Sequence, residues 1–339
     1  MQIDVGLDTT GLNDEDGAQV VSDAARLGYG RIWIGSIGDP FQTCALRWAT
    51  SGNAVPGGIG TAIGVVPAGQ DTPVSLAVRA AALSRLTSGR FVLGIGAGSS
   101  YEPAYRRTWG IGERSPLALV RAYLTTIRGF LAGESVTWDG SGISYDAARL
   151  PGPAARTPVY LGAAGPQMVR LGGELADGIY LSWCTTDNVR QTRDLIAEGA
   201  ERVGRDPAGV RLAASVRVCV DDDTEVARRA FASALLPYVL GWGGAPPRAF
   251  RSGFERMGFA AEIADLDELQ ASGTDREQIL RAFPERMLRE LGYFGPAAGA
   301  ADAVRRQVAG ADIAVVRIVA SRPGAEPIQR IIRACAPAA

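Results

Sequence analysis

The sequence predicts an α/β fold: a closed (β/α)8 TIM barrel with a helical insertion between strands seven and eight. Three observations carry this. Short β-rich runs alternate with helical stretches along nearly all of the 339 residues, as the βα units of a parallel sheet require. Eight such runs follow in order, and barrels of this kind stay one domain at this length, so residues 1–339 read as a single domain. One stretch, residues 241–299, breaks the rhythm and carries only short helical patterns.

Residues 3–8 read as the first strand. A helix follows from about Asn13, where Asp14, Glu15 and Asp16 load the first turn with the negative charge its dipole favours; Gly28 and Gly30 end it. Residues 31–36 (RIWIGS) form the second strand and 41–50 a helix. Residues 59–66 (IGTAIGVV) are the third strand, and a helix over 74–86 stops at Ser88-Gly89. RFVLGIG, residues 90–96, is the fourth strand. A long amphipathic helix spans 115–133, after which Trp138 and Tyr145 mark a small hairpin. PVYLG (158–162), residues 178–183 and VRLAASVRVCV (210–220) are strands five to seven. Their helices open at Gly165, at 187 and at 223. Residues 315–320 complete the set, with a last helix through 328–334. The insertion, opening with GWGGAPP, is expected over the C-terminal mouth, where such barrels place substrate contacts.

The inventory of side chains removes whole classes of chemistry. There is no His, and all 35 basic residues are Arg. Without His or Lys there is no Ser-His-Asp triad, no His-ligated metal, no Schiff-base lysine and no Walker phosphate loop. Cys44, Cys184, Cys219 and Cys335 lie far apart with no CxxC pair, so no metal site is expected. Carboxylates, Tyr, Ser, Cys, Arg and backbone dipoles are left, or a cofactor that brings its own reactivity; the cofactor is the natural choice. A net charge of −1 with dispersed arginines gives no reason for a nucleic-acid partner. No apolar run reaches the roughly 18 residues of a membrane span, so no membrane partner is expected. The first ten residues lack a signal-peptide pattern, and a cytoplasmic protein is the expectation.

Three segments concentrate the candidates, each where a strand hands over to a helix. In residues 83–98, LSRLTSGRFVLGIGAG, Gly96 and Gly98 leave no side chain at the end of the fourth strand, which suits either a tight turn or the close approach of a flat ring. In residues 158–183, Gly165 stands at a helix N-cap and Pro166 at its first position, entered through Gly162, Ala163 and Ala164. The open amides of Gln167 and Met168 suit a phosphate, or simply water. In residues 59–67, IGTAIGVVP, Gly64-Val65 is placed to form a bulge or an unusual peptide against a bound ring.

In this order and spacing the segments resemble the luciferase-like flavin- and deazaflavin-dependent oxidoreductases, most nearly the branch with methylenetetrahydromethanopterin reductase. LSRLTSGRFVLGIGAG is similar to the family's fourth-strand segment, and GAAGPQMVRLGGELADGIYLSW to its GxGP helix and ADG strand. YFGPAAGAADAVRRQVAGADIAVVRI is similar to its closing helix and final strand. The resemblance implies a ring at the barrel mouth against Gly64-Val65, where the family often has a non-proline cis peptide. It implies cofactor contacts from Ser36, Gly64, Val65, Gly96, Gly98, Ala163, Ala164, Gly165 and Gln167, the phosphate meeting Ala164, Gly165 and Gln167. Glu102 falls at the acidic position after the fourth strand, as a catalytic proton donor or a solvated loop carboxylate. Many relatives carry Asp-His after the second strand; this chain has Ser36-Ile37 there, and Asp39 is a loose catalytic substitute. A homodimer is also implied.

The expected activity is coenzyme F420-dependent hydride transfer to or from a small or mid-sized organic substrate. A reduced-FMN monooxygenase is the alternative, since both cofactors present a flat tricycle and a phosphate. A flavin-binding protein without turnover is the reading of another class. Trp242, Phe250, Phe254 and Phe259 in the insertion suit an apolar pocket or plain core packing.

Overall fold

A computed structural model describes residues 1–7, 12, 14–35, 38–52, 54–98, 100, 102–241 and 248–337. Its first half runs β1 (Gln2–Gly6), α1 (Asp14–Arg26), β2 (Arg31–Ile34), α2 (Pro40–Gly52), β3 (Gly60–Pro67), α3 (Pro73–Leu86), β4 (Phe91–Gly96), α4 (Pro103–Thr108) and α5 (Pro116–Ala132). A hairpin of β5 (Val136–Gly140) and β6 (Ile143–Ala148) comes next, then β7 (Val159–Gly162), α6 (Pro166–Leu175), β8 (Gly178–Ser182), α7 (Thr186–Glu201), β9 (Arg211–Val220) and α8 (Thr224–Val239). The chain ends through α9 (Arg248–Phe254), α10 (Ala260–Ala271), α11 (Arg276–Ala282), α12 (Glu285–Leu291), β10 (Gly292–Gly295), α13 (Ala300–Gln307), β11 (Ile313–Ile318) and α14 (Ala325–Ala334).

Several helix starts are set by single hydroxyls or carboxylates. Thr72, Ser115, Thr185 and Asp223 each accept a backbone N–H of the first turn of α3, α5, α7 and α8, a cap worth about 1 kcal/mol. Pro follows at the first position of α3 and α5, where its missing N–H costs nothing.

The parallel strands pair in the order β11-β1-β2-β3-β4-β7-β8-β9, and β9 pairs with β11 to close the ring. This is the expected eight-stranded barrel. Period-2 alternation sorts each strand into an outward face under the helices and an inward face in the lumen. Trp33, Ala62, Val92, Tyr160, Tyr180, Ala213, Ile313 and Val315 pack together inside. Trp33 stacks on Tyr180 at 4.8 Å and meets Tyr160 at 5.8 Å. Its indole Nε1–H donates to buried Asp4 (2.8 Å), which also accepts from Gln2 (2.7 Å). Burial raises the Asp4 carboxyl above the usual range, against the lowering effect of those two donors.

The segment after β9 carries its own apolar core. Phe231, Leu235 and Val239 of α8 pack with Phe254, Phe259, Ile263, Ile279, Met287 and Phe294. Trp183, Cys219 and Val319, which follow or end barrel strands, belong to the same cluster, so the insertion is seated on the rim. One of its features differs from the sequence expectation: it contains a strand, β10, which runs parallel to the end of β9. Phe254 and Phe259 are fully buried, the core-packing alternative of the sequence reading. Phe250 is half-buried against Tyr238 at 4.9 Å; Trp242 lies outside the described residues. No helix among the described residues is long and apolar enough to cross a membrane.

Candidate active site at the barrel mouth

The inward parity of the lumen continues to the C-terminal rim and fixes what faces the mouth. Above Asp4 comes Gly6, above Trp33 comes Gly35, above Ala62 comes Gly64 and above Val92 come Gly94 and Gly96. Tyr160 is followed inward by Gly162, Tyr180 by Ser182, Ala213 by Ser215 and Arg217, and Val315 by Arg317. One arc of the mouth is therefore glycine and the other serine and arginine. Gly35, Gly64, Gly162, Ser182 and Arg317 are only half-buried although they face the lumen, so the mouth is an open hollow.

In the glycine arc the Gly64-Val65 peptide is cis, and the β3–β4 register shifts between Ile63 and Val66. The Val65 side chain lies over the neighbouring strands. A Cβ on Gly96 would meet it at 3.0 Å, one on Gly162 at 2.9 Å, and one on Gly94 at 3.0 Å. These glycines make room for Val65, which then forms a half-buried apolar pad in the hollow. The gap that the sequence reading left above Gly96 is thus filled from within. Gly98 has φ +54°, and a Cβ there would press on Pro67 at 2.6 Å; its smallness serves a turn beside β3.

The helix entrance stands on the same rim. Gly165 caps α6 without a side-chain hydrogen bond, Gln167 is exposed, and Ala164 and Gly165 are half-buried beside buried Ala163. The Arg256 guanidinium donates to the Ala164 carbonyl at 3.4 Å and forms no ion pair among the described residues. Beyond it opens a cavity of about 490 Å³ between Thr185 and Asn188 at the start of α7, Arg256 and Arg289, and Arg306. Arg256 thus sets a guanidinium beside the start of α6.

The serine–arginine arc was missed. Arg217 is buried, its guanidinium 3.4 Å over the Trp183 ring and donating to Ser182 Oγ at 3.2 Å. Burial, reinforced by neighbouring Arg317, pulls this guanidinium down to about 10, still a cation at neutral pH. Trp183 sits at φ +52°, a left-handed conformation that costs a non-glycine residue about 1–2 kcal/mol. Strand parity was the available signal: Ala213, Ser215 and Arg217 share the lumen face of VRLAASVRVCV, and any arginine on that face must enter the barrel.

The two acids behave differently. Glu102 precedes α4 without capping it, and its buried Oε1 has no partner among the described residues. Ser100 Oγ nearby is orphaned in the same way. Asp39, by contrast, is fully engaged. It accepts the Phe41 and Gln42 amides at 2.9 and 3.2 Å, starting α2, and both its oxygens take Arg79 Nη2 at 2.6 and 2.7 Å. That geometry gives Asp39 a structural task, tying the start of α2 to α3. Ser36 lies outside the described residues.

A hollow with a glycine-cradled pad, an uncapped helix start and orphaned polar groups around one rim fits a planar ring with an anionic tail. The comparisons with known proteins agree with the architecture. A 5,10-methylenetetrahydromethanopterin reductase of Methanolobus tindarius is 37% identical over 148 residues, 44% of each chain, so the match spans less than half of that relative. The coenzyme F420 dependent tetrahydromethanopterin reductase from Methanopyrus kandleri superposes with a TM-score of 0.76 at 19% identity over 98% of both chains. The oxygenating constituent of 3,6-diketocamphane monooxygenase from Pseudomonas putida, in complex with FMN, superposes at 0.65 with 17% identity over 99% of this chain and 97% of that one. Residues 3–313 match the luciferase-like monooxygenase family, and the chain belongs to it.

Proposed function

We propose that the protein is a coenzyme F420-dependent oxidoreductase acting on a small or mid-sized organic substrate at the barrel mouth. The observation that carries this is the Val65 pad, raised on Gly94, Gly96 and Gly162 beside the uncapped start of α6. The ring would rest on Val65, and Gly165, Gln167 and Arg256 would hold the phosphate. The 37% identity to a methylenetetrahydromethanopterin reductase supports F420, since the Methanopyrus kandleri reductase of like name depends on that coenzyme. When bound, the cofactor supplies two-electron hydride chemistry.

The chain's own task is then positioning and one proton. The hollow orients the reacting partners, and the insertion seated on Trp183 keeps water from its side of the mouth. Glu102, with a buried and unpartnered oxygen, is the acid that exchanges a proton with substrate. Asp39 takes no part in it. Dependence on reduced FMN is the second reading, favoured by the likeness in fold to an FMN-bound monooxygenase.

Fluorescence titration with F420 and with FMN tests the assignment. Saturable quenching by F420 with at least tenfold weaker FMN binding is expected. The reverse preference overturns it, and binding of neither ends the oxidoreductase reading.

A further inference from the structure

Arg217 and Arg317 stand side by side in register on β9 and β11, roughly 4.8 Å apart along the hydrogen-bonding direction. The Arg317 side chain is laid across β1, where a Cβ on Gly6 would strike its Cδ at 2.8 Å. Nη1 of each guanidinium is buried without a hydrogen-bond partner, and neither has an ion pair among the described residues. The groups that act most on the Arg217 charge after burial itself are Tyr238, Arg317 and Tyr180, none of them a carboxylate. Asp4, the acid in the lumen below, is spoken for by Trp33 and Gln2.

Two more orphaned donors sit with this pair. Ser215 Oγ is one inward position below Arg217, and Trp183 Nε1 belongs to the ring that Arg217 covers. One buried and one half-buried guanidinium, with two hydroxyl or indole donors, leave a strong demand for an acceptor with negative charge. Four donors also match the roughly four lone-pair sites of one carboxylate. The pocket side is aromatic, from Trp183 and Tyr238, which suits the flat carbon skeleton attached to it.

We propose that Arg217 and Arg317 recognise the carboxylate of the substrate, so that this enzyme acts on an organic acid. This rests on the mouth being the reaction site, as proposed above. The acid's charged end lies on the arginine arc, and its carbon skeleton reaches toward Val65 on the glycine arc.

The test uses the full chain and four probes: benzoate, phenylacetate, methyl benzoate and phenyl phosphate. Binding is followed by calorimetry and by thermal shift, beside a separate F420 titration. Wild type is expected to bind at least one acid, with methyl benzoate more than tenfold weaker. Arg217→Met should weaken the acid by about tenfold to a hundredfold and leave F420 affinity within about twofold. Arg317→Met repeats the test should the first variant fail to fold. Equal binding of acid and ester, no binding of either acid, or preference for phenyl phosphate overturns the proposal. So does a variant that loses F420 and keeps the acid. A wild type that binds acid through these arginines but no F420 sinks the cofactor assignment instead, and the carboxylate site stands.

Discussion

On β1, β2, β3, β4 and β7 the inward residue at the rim is glycine; on β8, β9 and β11 it is serine or arginine. The same positions of one barrel thus carry opposite physical solutions. In the glycine arc, side chains are removed so that backbone and a single valine define a surface. In the arginine arc, the Arg217 guanidinium is buried against an aromatic ring and stays charged, with half-buried Arg317 beside it. Emptiness suits a large planar group and costs little beyond backbone entropy. Buried charge costs stability and is kept where a ligand repays it. The difference teaches that stability should fall when the glycine arc is filled and rise when the arginine arc is neutralised, while binding is lost in both cases.

The largest effect is expected from Gly94→Ala. Its Cβ would lie 2.0 Å from the Ile63 carbonyl oxygen, a backbone atom beside the cis peptide. Urea unfolding should show a loss of about 3 kcal/mol, and a loss below 0.5 kcal/mol would mean that the arc is loosely packed. Gly162→Ala is milder, because its Cβ would meet only the end of the Val65 side chain at 2.9 Å. A loss of about 1 kcal/mol is expected, with cofactor affinity reduced about tenfold as the pad shifts.

Arg217→Met should run the other way and raise stability by about 1 kcal/mol, since an unpaired buried cation is exchanged for apolar volume. A destabilised variant would show that the Ser182 hydrogen bond and the Trp183 ring outweigh the burial of the charge, and would erase the contrast between the arcs. The smallest effect concerns Asp4, whose carboxyl is raised by burial. A raised folded pKa means the native state holds its proton longer than the unfolded one. The wild type therefore loses stability relative to Asp4→Asn as pH rises from about 4 toward neutrality. A difference that grows in the opposite sense would show that the arginine arc reaches down to Asp4.

The barrel was legible because its strands are buried on both faces and read as apolar runs between helices with clear caps. β10 was not, since GYFG is four residues between glycines and pairs only with the overhang of β9. Gly64, Gly96 and Gly162 were legible as small residues at strand ends, but their reason was half hidden, because the occupant of the space is Val65 of the same chain. Arg217 and Arg317 escaped because strand parity tells which residues share a face, but not which face closes into a lumen. Asp39 looked free because a helix cap and a partner 40 residues away, Arg79, leave no local signature. Phe254 and Phe259 had helical spacing, which fits a core as well as a pocket.

Titration of F420 into wild type, Gly162→Ala and Arg217→Met weighs the division of the mouth most directly. Tight binding by wild type, a loss of about tenfold in the glycine variant and a change within about twofold in the arginine variant are the results expected here. A loss confined to Arg217→Met, or an equal loss in both, would contradict a mouth split between ring and substrate.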